Sequence, residues 1–313
     1  MSPAPGSRAY QRPSGGTSAA ARAARRFAPL PGLFTFTVDV EPHGGDGAGA
    51  ETRRLLALLA EAQARGTFFV LDEVVRSDPA LVLEIARAGH EIASHGHAHR
   101  HLAEEGPARF RAGMAAARDR LGMLTGAAPA GFRAPYFSLT PAAAWAPEVL
   151  AELGFSYSSS VLPAWNPLAG WPGAPRHPFR WPCGLLELPV PVARFGPWLV
   201  PFLGGMYLRW LPPWRLRSLV RRWAAEQGGA EGALWSYCHP YDLDEAGALE
   251  RRVGTGRLAS LMLWLNRGPT LPRLSGLLAG RRSESFAARL PVLAAAAPVF
   301  APALGRGFGA AHA

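Results

Sequence analysis

The sequence predicts an α/β fold in which parallel strands alternate with helices. Two features carry that prediction. Short β-branched and aromatic runs such as Leu33–Val40 (LFTFTVDV) are separated by longer segments with apolar residues at helical spacing, such as Glu51–Ala64 (ETRRLLALLAEAQA). Gly and Pro also fall at the junctions between these segments. The chain of 313 residues suits a single α/β domain, and its 49% apolar content is enough to build a large core. Open sheet and closed barrel are both compatible with the alternation.

In chain order, Leu33–Val40 reads as a buried strand and residues 51–64 as a helix. Thr67–Leu71 is the second strand, and Pro79–Ala88 a helix stopped by Gly89. A short strand follows at Glu91–Ser94, then a long helix at Ala108–Leu124. Ala130–Arg133 and Phe155–Ser158 are further strands, with a helix between them at Pro141–Leu153 that has Pro at its start and Gly154 after its end. Beyond this the pattern loosens. Residues 160–184 are rich in Pro and Trp and read as an ordered loop. Leu185–Val190 and Ala233–Cys238 complete about seven strands, with a helix near Trp214–Glu226 between them. Residues 1–31 are expected to be a disordered leader, 32–275 the folded unit, and 276–313 an Ala/Pro-rich tail.

The net charge is +10, and every Lys/Arg position is arginine. The arginines are scattered, with no long basic stripe on a helix and no nucleic-acid motif, so codon bias explains them better than a nucleic-acid partner does. Cys183 and Cys238 form neither a CxxC pair nor a zinc-finger spacing. The N-terminus lacks the apolar core of a secretory signal, which predicts a cytoplasmic location. The apolar stretch Phe195–Leu211 is broken by Pro, Gly and Arg, so it reads as a buried loop, with peripheral membrane contact as the alternative.

Four clusters at predicted strand ends carry chemistry, and strand C-terminal ends are where α/β barrels place their sites. Asp39 and Glu41 lie two apart on an extended chain and point to one side, where one can hold a metal and the other act as a base. Five of the nine histidines fall between His90 and His101, which concentrates metal-ligating capacity in one segment. Within it, His95 and His99 stand at i and i+4, on one face if a helix starts there. In Arg133-Ala134-Pro135-Tyr136 the arginine can pair with a carboxylate and Pro135 stiffens the loop. A backbone N–H such as that of Tyr136 can face an oxyanion. His239, pinned by Pro240, is a candidate general acid. Trp165, Trp171 and Trp181 are candidates for stacking on sugar rings or for packing the loop.

Taken together and in this order, the clusters resemble the NodB-type polysaccharide deacetylases, carbohydrate esterase family four. More narrowly, the chain is similar to the exosortase-associated branch linked to exopolysaccharide loci. That similarity rests on Asp-Val-Glu at 39–41 and on the segments GHEIASHGHAHR (89–100), GFRAPYFSLT (131–140), LGGMYLRWLP (203–212) and SYCHPYDLD (236–244). The resemblance implies a distorted (β/α) barrel and hydrolysis of N-acetyl groups on an acetylated, polymeric or lipid-linked glycan. It also implies a divalent metal, zinc first, and for a lipid-linked substrate the inner membrane face. Asp39 matches the general base, His95 and His99 the metal ligands, and Arg133 the residue that positions the base. Tyr136 matches the oxyanion amide and His239 the general acid. Pro135, Trp165 and Trp171 are assigned to the substrate side.

Two departures from the family pattern matter. The second acid of the usual Asp-Asp pair is Val40 here, which leaves Glu41 as the substitute ligand. The aspartate of a Tyr-Asp-Ser-Ser segment is Ser158, which leaves Asp242 to support His239. The alternatives are a metal-independent amide or ureide hydrolase on the same fold and a non-catalytic glycan-binding relative.

Overall fold

A computed structural model describes residues 33–42, 48–166, 169–227, 233–247, 249 and 257–302. The expected leader, 1–31, lies outside them. The strands are β1 (Leu33–Val40), β2 (Gly66–Val70), β3 (Glu91–Ser94), β4 (Gly131–Phe132), β5 (Tyr157–Ser158), β6 (Phe179–Arg180), β7 (Leu186–Glu187), β8 (Val192–Phe195), β9 (Trp198–Pro201), β10 (Trp235–Cys238) and β11 (Arg282–Ser283). The helices are α1 (Gly49–Glu61), α2 (Asp72–Ser77), α3 (Pro79–Arg87), α4 (Leu102–Glu105), α5 (Pro107–Thr125), α6 (Ala146–Glu152), α7 (Gly205–Trp210), α8 (Pro213–Glu226), α9 (Arg257–Trp264), α10 (Thr270–Leu278) and α11 (Phe286–Ala295).

The fold is a mixed α/β barrel-like structure built on a curled parallel sheet. Parallel strands follow the order β10-β1-β2-β3-β4-β5-β7, which is the expected seven. β6 adds an antiparallel edge. On the β10 side, the Tyr237 N–H donates to the Leu203 carbonyl and Gly204 forms a bridge with Tyr237. A Cβ on Gly204 would lie 2.0 Å from the Tyr237 ring, so only glycine fits that approach.

Strand alternation sorts the side chains. Phe34, Phe36, Val38 and Val40 face outward and are buried with Leu55, Leu59 and Ile85 of the surrounding helices. Thr35, Thr37 and Asp39 face inward. So do Phe69, Ala93, Tyr157, Leu186 and Trp235, which form an interior cluster with Phe286 of α11. Gly131 is required on this face, because a Cβ there would lie 2.1 Å from the Tyr157 ring. α3 starts as its sequence predicts. Pro79 occupies the first turn, and Asp78 Oδ1 accepts from the Leu81 N–H at 3.0 Å, a cap worth about 1 kcal/mol.

Three expectations change. The stretch from 276 is not a tail through its described part. β11 pairs with the start of β1, and α11 closes the barrel floor with Phe286 and with Arg289, which donates to Thr35 Oγ1 at 2.9 Å. The Ala-rich composition misleads because helix α11 needs only one apolar face. Phe195–Leu211 is not a buried loop: it holds most of the β8–β9 hairpin and all of α7, and residues 194–198 are exposed. Finally, α8 does gather arginines, namely Arg215, Arg217, Arg221 and Arg222, on one short helix.

Candidate active site

Each strand that carries a predicted functional residue places it on the inward-facing register, two or four positions past its last inward-facing core residue. Period-two alternation therefore aims Asp39, Glu41, His95, Arg133 and His239 at the same end of the barrel. There Asp39, Glu41, His95, His99, Tyr136 and His239 line one open cleft of about 970 Å³, solvent at its mouth included. Arg133 lies beneath it, fully buried.

Glu41 is the hub. Its Oε1 lies 3.2 Å from His95 Nε2 and 2.9 Å from His99 Nε2. Burial pushes the Glu41 carboxyl up, but His239, His95 and His99 outweigh that and hold it well below the usual carboxylate range. The pair of histidines is assembled differently from the sequence expectation. No helix runs through 95–101. His95 continues β3, Gly96 turns the chain at φ +101°, and His99 folds back from a bend, before α4 starts at Leu102. His97 points away, and its ring occupies the space left by Gly113 of α5, where a Cβ would lie 2.4 Å from it.

Donor chemistry at this cluster fits a divalent cation. His95 Nδ1 lies 3.0 Å from the Arg133 carbonyl, which can only accept, so Nδ1 carries the proton. A neutral His95 then turns the lone pair of Nε2 onto a Glu41 oxygen. Two lone pairs at 3.2 Å need a proton or a cation between them. His99 Nδ1 is likewise oriented, 3.0 Å from the Tyr136 hydroxyl. One ligand atom from each of Glu41, His95 and His99 lies within 4.8 Å of the others. A three-ligand set with room for water is the arrangement of catalytic zinc sites.

Asp39 stands beside the cluster. Arg133 NH1 donates to Asp39 Oδ1 at 2.6 Å and to Thr37 Oγ1 at 2.8 Å. The rest of the guanidinium bonds to Ser159 and lies over Phe69 and Trp235, 3.9 Å and 4.5 Å from their ring centroids. The carboxylate partner of this arginine is therefore met in the interior of the barrel, not at its surface. On the far wall, His239 Nε2 lies 3.9 Å from Asp39 Oδ2 and 3.7 Å from Glu41 Oε1. Its Nδ1 lies 3.3 Å from Asp242 Oδ2, and its ring stacks on Tyr241. Burial pushes His239 down, but Glu41, Asp242 and Asp39 together raise it above its ordinary value. Ser158, expected to leave the support of His239 to Asp242, bonds to Ser160.

Tyr136 sits at φ +59° and Phe137 at φ +53°, consecutive left-handed residues that cost on the order of 1–3 kcal/mol each. Pro135 is buried, packs against Gly96 and does not line the cleft, so it shapes the turn rather than the substrate surface. Trp171 is also buried, packed against Trp181 and Phe300 in a separate cluster, so its sugar-stacking role falls away with that of Trp181. Aromatic size drives both inward once α/β packing offers a pocket. Trp165 is exposed next to Asn166, which does line the cleft. Sequence reasoning passed over Tyr207, Tyr237 and Arg209. The first two line the cleft, and Arg209 NH2 pairs with Asp242 Oδ1 at 3.3 Å while fully buried. An arginine inside the apolar stretch 195–211 was the available signal, since a buried guanidinium needs an anion.

Residues 33–158 match the polysaccharide deacetylase family model, and residues 159–290 match a model described as a domain of unknown function, DUF3473. A peptidoglycan-N-acetylglucosamine deacetylase from Bacillus cereus is 34% identical over 92 residues, covering 29% of this chain and 34% of that protein. The chain thus spans about a third of the length of this relative. The solved structure of a candidate polysaccharide deacetylase from Mycobacterium smegmatis aligns with TM-score 0.56 and 24% identity, over 86% of this chain and 92% of that one. Its likeness shows a shared fold.

Proposed function

We propose that the cleft hydrolyses acetamido groups of a glycan, with Glu41, His95 and His99 holding a divalent cation. The convergence of Asp39, Glu41, His95, His99 and His239 on one cleft from separate strand ends carries this reading. The polysaccharide deacetylase match over β1–β5 supports it. Bound there, a divalent cation supplies Lewis acidity to water and to a carbonyl oxygen.

The chain's own groups do the rest. Asp39, held by Arg133, takes a proton from the attacking water. The Tyr136 turn offers its backbone amide to the oxygen that becomes negative. His239, kept protonated by Asp242 and the site carboxylates, gives a proton to the departing nitrogen. Water and an acetamide become acetate and an amine. Glu41 thereby replaces the acid that Val40 cannot supply, and Asp242 replaces the one lost at Ser158. The glycan we favour is an exopolysaccharide, polymeric or lipid-linked, on the strength of the motif resemblance, with zinc as the first metal to try.

Acetate release from acetylated chito-oligosaccharides, on protein stripped by chelator and resupplied with zinc or cobalt, tests the reading. Activity is expected to vanish and return with the metal, and His95→Ala or His99→Ala to abolish metal binding and activity together. Full activity in either variant would sink the metal assignment. Hydrolysis of a small ureide in the presence of chelator would favour the metal-free alternative.

A further inference from the structure

A second site lies outside the cleft, where the β8–β9 hairpin packs on α8. Arg194, Phe195 and Gly196 of the hairpin and Arg215, Ser218, Leu219 and Arg222 of α8 enclose a surface pocket of about 510 Å³, adjoining solvent included. Its three guanidinium groups belong to exposed residues, and none is ion-paired with an acid among the described residues. Arg222 donates to the Arg194 backbone carbonyl, which ties α8 to the hairpin, and all three arginines line the one pocket. Like charges gathered this way repel unless an anion joins them.

Exposed aromatic rings surround the pocket. Trp198, Trp214 and Phe195 are 60%, 55% and 40% exposed. Arg215 lies over both Phe195 and Trp214, at 5.1 Å and 4.2 Å from their centroids. Trp198 pairs with Phe195 across the hairpin and meets Trp165 at 6.4 Å. Such rings cost solubility in water and gain at a lipid–water interface, where Trp and Arg act together. A freely soluble anion would need the arginines and not the rings.

We propose that this hairpin–helix lip seats the protein on an anionic bilayer, with phospholipid phosphate groups entering the Arg194–Arg215–Arg222 pocket and the surrounding aromatics in the interface. No described helix is long and apolar enough to cross a membrane, so the contact is peripheral. Pro201 at the end of β9, Asn166 beside Trp165, and Met206 and Tyr207 of α7 line the cleft, so the lip would hold its mouth against the lipid surface. The proposal does not depend on the cleft's chemistry.

The full chain is sedimented with vesicles of phosphatidylcholine alone or mixed with phosphatidylglycerol. Binding is expected only to the mixed vesicles, with a blue shift of tryptophan emission. The triple variant R194Q/R215Q/R222Q should bind roughly a hundredfold more weakly. F195S/W198S should weaken binding and lose most of the blue shift, with circular dichroism and hydrolysis of a soluble substrate unchanged. Equal binding to both vesicle types, or full binding by the folded triple variant, would overturn the proposal. So would inorganic phosphate competing fully while F195S/W198S binds normally, which would mark a free-anion site. Binding of single-stranded DNA without binding of vesicles would assign the arginines to nucleic acid instead.

Discussion

Two buried arginine–carboxylate pairs flank the cleft, one on the side of the proposed base and one on the side of the proposed acid, and they are built differently. All three nitrogens of Arg133 donate, to Asp39, Thr37 and Ser159, and the side chain is held between Phe69 and Trp235. Arg209 spends its donors mainly on the Leu263 and Leu265 carbonyls and meets Asp242 Oδ1 only at 3.3 Å, outside hydrogen-bond geometry. Asp242 Oδ2 takes both the backbone N–H and the ring of His239. Burial pushes Asp242 up, but His239 and Arg209 bring it below its ordinary value. The base carboxylate is thus clamped for position. The acid-side carboxylate keeps an oxygen for the histidine, and Arg209 steadies its charge.

Breaking the clamp gives the largest effect. Arg133→Met leaves Asp39 buried without its cation, which costs about 3–5 kcal/mol of stability. Misplacing a general base lowers kcat by roughly 10²–10⁴-fold. Arg133→Lys keeps the charge without the fork, and it should recover stability better than activity. Urea unfolding and acetate-release kinetics read the two losses separately. An unmoved midpoint with kcat changed by only a small factor would show that Asp39 needs no clamp.

The acid side responds in pH rather than in fold. As the proposed acid, His239 has to be protonated, and its raised pKa would extend the active range upward. Asp242→Asn removes one of the anions that raise it, so the alkaline limb of kcat/KM is expected to move to lower pH. If Arg209 acts through Asp242, adding Arg209→Met to that variant should move the limb little further, whereas Arg209→Met alone should shift it. A limb that stays in place in Asp242→Asn would assign the raised His239 pKa to Glu41 and Asp39 alone.

This contrast also separates what the sequence reveals from what it hides. The base side is legible because it follows from strand alternation. Once LFTFTVDV is a strand, Asp39 and Glu41 share the inward face, and the late inward positions of β3 and β10 lead to His95 and His239. What alternation does not give is depth. Arg133 ends a predicted strand and Trp171 stands in a predicted loop, and only the curled sheet shows that both are interior. His95 and His99 were found by a helical spacing that the chain does not adopt, since Gly96 and a bend bring them together. The acid side draws on Arg209 of α7, thirty positions before His239, and no local pattern connects Arg209 to Asp242. The pocket between the hairpin and α8 is hidden for the same reason, since no local pattern joins Arg194 to Arg215 and Arg222.

The smallest effect sharpens the comparison with a histidine whose pKa is set by burial and a nearby cation rather than by anions. His90 is buried, and burial first and Arg65 second depress its pKa from 6.5 to about 4. Its Nδ1 accepts from the Gly66 N–H at 3.2 Å, a bond that requires the neutral ring. As pH falls from 6.5 toward 4, the unfolded chain binds a proton that folded His90 refuses, so native stability drops through that window. His90→Gln keeps an acceptor and cannot titrate. The variant should therefore lose less stability than the native chain between neutral pH and pH near 4, by roughly 1–2 kcal/mol after solvent screening. Urea midpoints at the two pH values measure the difference. An equal drop in both proteins would mean that His90 is protonated in the folded state as readily as in the unfolded one. Local charge would then not be what separates it from His239.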